Sequence, residues 1–132
     1  MMLKPILVPA LALALAVQLF HAVLCIIWNL IGVWQLSKGL LAIGPTASVA
    51  AIGIILVLSG LLIVSVRSKH VALYLGVSGL MFLAAVSAIY GGFNKDPSFW
   101  PSEAWRYAGI IVNAIGLVGF SLALGCAKQL KN

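Results

Sequence analysis

The chain has 132 residues, of which 64% are hydrophobic and only 8% charged, against about 45–50% and about 25% in an average soluble domain. A small water-soluble domain leaves too much surface exposed to hide that surplus, so the composition excludes water as the main solvent and points to lipid. The net charge of +6 comes from eight basic residues scattered outside the apolar runs, with no block of five, which leaves no patch for nucleic acid.

A helix needs about 20 apolar residues, at 1.5 Å rise each, to cross roughly 30 Å of hydrocarbon. The first stretch that qualifies lies within Ile6 to Leu36, with a span over 9–34 centred near His21 or Ala22. Lys4 and the apolar run after it have the outline of a secretory signal. Hydrophobicity continues unbroken to Trp34, however, and the small-x-small site at Ala14-Leu15-Ala16 comes too early. An uncleaved span is therefore expected, tilted or with an interfacial start kinked near Pro9. At 100° per residue Gln18, His21, Cys25, Asn29 and Gly32 share one face, so a greasy helix carries one polar stripe that must meet protein or water.

A short connection over 37–46 follows. Its Leu40, Leu41 and Ile43 are expected in the interface, with Gly44-Pro45 ending it. The second span is predicted over 47–66 and the third over 71–90, joined by the basic turn Arg67-Ser68-Lys69-His70, which forces the two to be antiparallel neighbours. Gly91-Gly92 is expected to stop the third helix. An outer loop over 91–106 follows, and Ser102 can cap the fourth helix with Glu103 in its first turn. The fourth span is predicted over 107–126, with Gly109, Asn113, Gly116, Ala123 and Ala127 on one face and Phe120 interrupting it. Ala84, Ala88 and Gly92 recur at four-residue spacing in the third. Such small residues permit close backbone approach between helices.

None of the four spans contains Asp, Glu, Lys or Arg. An open sheet would leave backbone groups unpaired in lipid, and runs such as Ile54-Ile55-Leu56-Val57-Leu58 lack the alternation of a barrel. The expectation is an all-α integral membrane protein, one domain over 1–132, built as a compact up-down-up-down bundle of four transmembrane helices. Lys4, Arg67, Lys69, Lys128 and Lys131 then share one side, and Lys38, Lys95 and Arg106 the other. That balance favours both termini in the cytoplasm, in a plasma (inner) membrane. Phe99, Trp100, Trp105 and Arg106 are expected to touch lipid or a partner at the outer surface, the loop lying on the headgroups as a lid.

Few groups could carry chemistry. His21 is the one titratable side chain near mid-membrane. His70 is too distant to share a haem, Cys25 alone does not complete a metal site, and no carboxylate is in the spans to serve a proton relay. A neutral imidazole bonded to Gln18 or to a neighbouring helix is expected instead. Cys25 and Cys126 form no Cys-x-x-Cys and read as packing residues. Asn29 and Asn113 differ by only about 3 Å in depth by helix rise, which predicts that they meet or share a water between adjacent helices. Asp96 and Glu103, beside Lys95 and Arg106, look like loop ion pairs; a lipid- or quinone-directed enzyme would need them to converge with Arg106 on a pocket. No nucleotide, hydrolase or zinc-protease motif occurs. The expectation is a non-catalytic accessory, structural or regulatory membrane subunit that binds no cofactor and contacts other membrane subunits or its own copies. The alternative is a small oligomeric transporter or channel for a neutral solute, an anion or a lipid.

Overall fold

The computed structural model describes residues 8–132; Lys4 and the start of the first apolar stretch at Ile6 and Leu7 lie outside the described residues. Four α-helices follow one another: α1 Pro9–Ser37, α2 Val49–Arg67, α3 Val71–Asn94 and α4 Glu103–Cys126. Short 3-10 turns occupy Pro97–Phe99 and Ala127–Lys131, and no strand is found among the described residues. Neighbours in sequence pack side by side and α4 closes back on α1, making a four-helix ring. All four helices are long and apolar enough to cross a membrane. Large aliphatic side chains cover the outside, including Val49 at 70% exposure, Leu83 at 62% and Ile111 at 64%. Such a coat is stable only against hydrocarbon, so the chain is an integral membrane protein.

The helix limits follow local chemistry. Pro9 stands at the start of α1, where its missing N–H leaves no bond unmade. At the α2–α3 turn Lys69 adopts φ 54°, and the Nδ1 atom of His70 accepts from the Leu73 N–H at 3.1 Å to cap α3. Ser102 caps α4 through its hydroxyl oxygen, which accepts from Trp105 N–H at 3.5 Å, and Glu103 begins the first turn, as expected.

Two expectations are corrected. Gly91-Gly92 does not stop the third helix, which runs on to Asn94. A Cβ on Gly92 would lie 2.6 Å from Ile110 Cγ1, so the glycine serves helix packing rather than termination. With α4 starting at Glu103, the outer connection shrinks to residues 95–102. The other correction concerns the 38–48 connection. Leu40 and Leu41 are exposed, but Ile43 is buried at 2% exposure, its N–H donating to Gln35 Oε1 at 2.8 Å. The segment folds back along α1, bringing Ala42 and Ala47 against Gly32, where no side chain would fit.

Packing is uneven along the bundle. At the end bearing the α2–α3 turn, a core of Leu11, Ala14, Leu62, Val66, Tyr74, Val77 and Ala123 fills the interior. Phe120, which breaks the small-residue face of α4, stacks on Phe82 of α3 with centroids 4.4 Å apart. Toward the opposite end, which bears the 38–48 and 95–102 connections and is here termed the loop end, the interior is hollow.

Candidate functional site: a cavity at the loop end

The expected polar face of α1 divides between two environments. Gln18 is 4% exposed and belongs to the packed half. Its Nε2 donates to Ser78 Oγ at 2.8 Å, and its Oε1 accepts from the Tyr74 hydroxyl at 2.9 Å. These bonds cross the diagonal of the bundle from α1 to α3 and close the floor beneath the hollow. Ser78 and Tyr74 escaped the sequence reading; their four-residue spacing on one face of an apolar helix was the available signal.

His21, Cys25 and Asn29 line the cavity, and so does Asn113 from α4. The imidazole Nε2 stands 3.3 Å from Cys25 Sγ, with the Asn113 amide beside the ring. The ring lies on Gly116, where a Cβ would fall 2.6 Å from His21 Cε1. The helix-four glycines thus seat the α1 side chains: Gly119 faces Gln18, Gly116 faces His21 and Gly109 faces Trp28. Around His21 and Cys25 no third His, Cys, Asp or Glu gathers to hold a metal ion among the described residues.

Asn29 and Asn113 line the same cavity, and no direct hydrogen bond joins them among the described residues. Asn29 Nδ2 donates to Cys25 O at 2.8 Å, and its Oδ1 accepts from Ser48 N–H at 3.1 Å, which ties the start of α2 to α1. Asn113 Nδ2 donates to Gly109 O at 2.8 Å. Trp28 occupies the α1–α4 seam. Its indole packs on Gly109 and edge-on against Trp105, with centroids 6.0 Å apart at 71°. Trp28 is a wall residue that sequence reasoning missed, although it follows Gln18, His21 and Cys25 at helical spacing.

The cavity volume is about 440 Å³. At its upper rim Arg106 Nε donates to Gly92 O at 2.7 Å, its Nη1 bonds Glu103 Oε1 at 3.0 Å, and its guanidinium lies 5.3 Å from the Tyr107 ring centroid. Trp100 corrects the picture of a lid lying outward on headgroups. It is only 7% exposed and lines the cavity, whereas Phe99 and Trp105 remain half-exposed at 51% and 45%. The short turn before Trp100 places it there. Asp96 Oδ1 accepts from Ser98 N–H at 2.8 Å, and that backbone N–H holds the Asp96 carboxyl below the usual carboxylate range. Neither Asp96 nor Glu103 lines the cavity, although Lys95 and Arg106 both do.

The polar side chains divide by whether they are bonded. The amides of Gln18, Asn29 and Asn113 are engaged within the chain. The wall side chains of Trp28, Thr46, Ser87, Lys95 and Trp100 make no hydrogen bond or ion pair among the described residues. Each can donate, and the two hydroxyls can also accept. No protein-family model matches the chain, and comparison with curated proteins and with solved structures found no match.

Proposed function

We propose that this protein is a non-catalytic membrane binder of a small amphiphile with an acceptor-rich head, held in the loop-end cavity. One observation carries the reading: an intramembrane cavity of about 440 Å³ whose unbonded polar side chains can all donate, with Lys95 an unpaired cation among them and Arg106, paired with Glu103, beside it. Ligand pockets fall in the range of about 300–1,000 Å³ and pair apolar walls with a few placed polar groups. An anionic or carbonyl-bearing head would meet these donors with charge-assisted bonds. The remaining wall is aliphatic or small, from Ile54, Ile55, Leu58, Met81 and the alanines of α3.

Conduction through one chain gains no support, because Gln18, Tyr74 and Ser78 bridge the bundle beneath the cavity. The accessory-subunit reading keeps a separate observation in its favour. Gly53 and Gly60 of α2 have open space where a Cβ would stand, and such a flat strip lets another helix approach closely. Holding a lipid and serving a larger assembly are compatible roles. For orientation, we propose that the termini and the Arg67–His70 turn face the cytoplasm of a plasma (inner) membrane. Arg67, Lys69, Lys128 and Lys131 gather at that end, opposed by Lys38, Lys95 and Arg106. Reporter fusions at Asn132 read that orientation directly.

The binding test is calorimetric titration of the detergent-purified chain with a medium-chain fatty-acid carboxylate and with its methyl ester. The carboxylate should bind and Lys95→Ala should weaken it by about tenfold or more, the loss of one charge-assisted contact. Equal binding of the ester, or of neither, would defeat the proposal.

A further inference from the structure

We infer that the cavity takes a single-chain anionic lipid and receives it sideways from the surrounding bilayer, through the loop-end seam between α2 and α3; this rests on the ligand-holding reading above. Four helices in a ring make four seams, and three are closed at the loop end. Trp28 on Gly109 and Trp105 closes α1–α4. Ile110 on Gly92 and the 2.7 Å bond from Arg106 to Gly92 O close α3–α4. Ala47 on Gly32 and the Asn29–Ser48 bond close α1–α2.

The α2–α3 seam differs. Its contacts gather near the Arg67–His70 turn, where Leu62 and Val66 join Tyr74 and Val77 in the core. Farther up, Ile54 of α2 and Ala84, Ser87 and Ala88 of α3 line the cavity and yet are exposed on the outside of the bundle. A residue that belongs both to a cavity wall and to the outer surface marks an opening. On the α3 side the opening is bordered by small side chains at i, i+3 and i+4, so nothing bulky closes it. The flanking outer surface is aliphatic, with Leu56 at 57%, Val57 at 62% and Leu83 at 62% exposure, so the window faces hydrocarbon.

That placement selects the ligand. Pro45, Thr46 and Lys95, in the wall and exposed, carry the opening up to the loop end, but its aliphatic flank lies in hydrocarbon, where a lipid is already beside it. Lys95 and Arg106 stand at the loop-end rim, the latter paired with Glu103, and the neutral floor of Gln18, Tyr74 and Ser78 lies below. The head therefore sits high, against Lys95 and Arg106, with the chain descending past Met81 and Leu58. A cavity closed on three seams accommodates one chain; a second would remain outside the window.

The test uses the full chain in nanodiscs of phosphatidylcholine, photolysed with a diazirine-bearing fatty acid and mapped by peptide mass spectrometry. Label is expected on cavity residues such as Cys25 and Met81, competed by oleate and not by methyl oleate. Filling the window with Ala84→Trp and Ala88→Trp should lower cavity labelling at least tenfold while outer positions such as Ile111 stay labelled. Because the double tryptophan variant could misfold, a second variant carries Ile54→Cys and Ala88→Cys on a Cys25→Ser, Cys126→Ser background. A reducible bifunctional thiol crosslinker should block labelling of Met81 there, and reduction should restore it. Absence of cavity label in the unmodified chain would overturn the ligand-holding reading itself. Cavity label that ignores both window closures would overturn only the lateral route, and equal competition by methyl oleate would overturn the anionic head.

Discussion

The Tyr74 hydroxyl donates to the side-chain carbonyl of Gln18 at 2.9 Å, joining two helices that face each other across the bundle rather than side by side. Both groups are buried, so each depends on the other for its bond. Tyr74→Phe leaves the Gln18 oxygen without its donor, and Gln18→Leu leaves the tyrosine and Ser78 hydroxyls without their partner. Either single change should destabilise the bundle more than the pair adds, since an orphaned buried group loses about 1–3 kcal/mol. In a double-mutant cycle read by unfolding in mixed micelles, the coupling should be about 0.6 kcal/mol and no more than about 1.7. Zero coupling would show that the two side chains do not meet.

Gly116 and Gly125 lie on the same helix and make opposite predictions. A Cβ on Gly116 would press on the His21 ring at 2.6 Å, whereas one on Gly125 meets nothing within 4 Å. Gly116→Ala should lower stability by about 1–3 kcal/mol through overpacking, and Gly125→Ala should stay within about 0.5 kcal/mol of the parent. His21→Ala should relieve Gly116→Ala. Failure of that rescue would place the ring elsewhere.

Asn29 reaches from α1 to the first turn of α2 by accepting from Ser48 N–H. Asn29→Leu should free that N–H and raise hydrogen exchange at Ser48 several-fold, in line with a bond worth about 0.5–1.5 kcal/mol. Asn29→Asp retains an acceptor and should leave Ser48 protected. Exchange that is unchanged in Asn29→Leu would show the contact to be idle.

Asp96 makes the turn at the loop end sensitive to acid. Its carboxyl is held below the usual range by the Ser98 N–H, so the contribution it makes is present above its ordinary value and disappears as pH falls through the lowered one. The turn at Pro97–Phe99 should therefore be indifferent to pH through neutrality and loosen only below about pH 4. Fluorescence of Trp100 in a Trp28→Phe, Trp34→Phe, Trp105→Phe chain reads this, and Asp96→Ala should show the acid form's signal at every pH.

Much of the fold was legible before any coordinates. Charge-free runs of about 20 residues, broken by Arg67–His70 and by the Pro-rich segment after Asn94, have few other solutions in hydrocarbon. Ser102 announced the start of α4 because a cap is a local matter of one side chain and a nearby N–H. The stripe from Gln18 to Gly32 was likewise visible from spacing. Gly91-Gly92 misled because a glycine pair ends a helix only where nothing presses on it, and Ile110 does.

Composition and spacing alone determined the solvent, the number of crossings and the face of α1 that could not meet lipid, because each depends on transfer energies and helical period within one segment. Tertiary structure decided where that face leads. Whether Gln18 bonds across to α3 while His21 lines the cavity, whether Trp28 packs on Gly109 and Trp105, and which seam remains unzipped all depend on the azimuth and tilt of each helix. Those angles are set by contacts between residues far apart in the chain, and no local pattern encodes them.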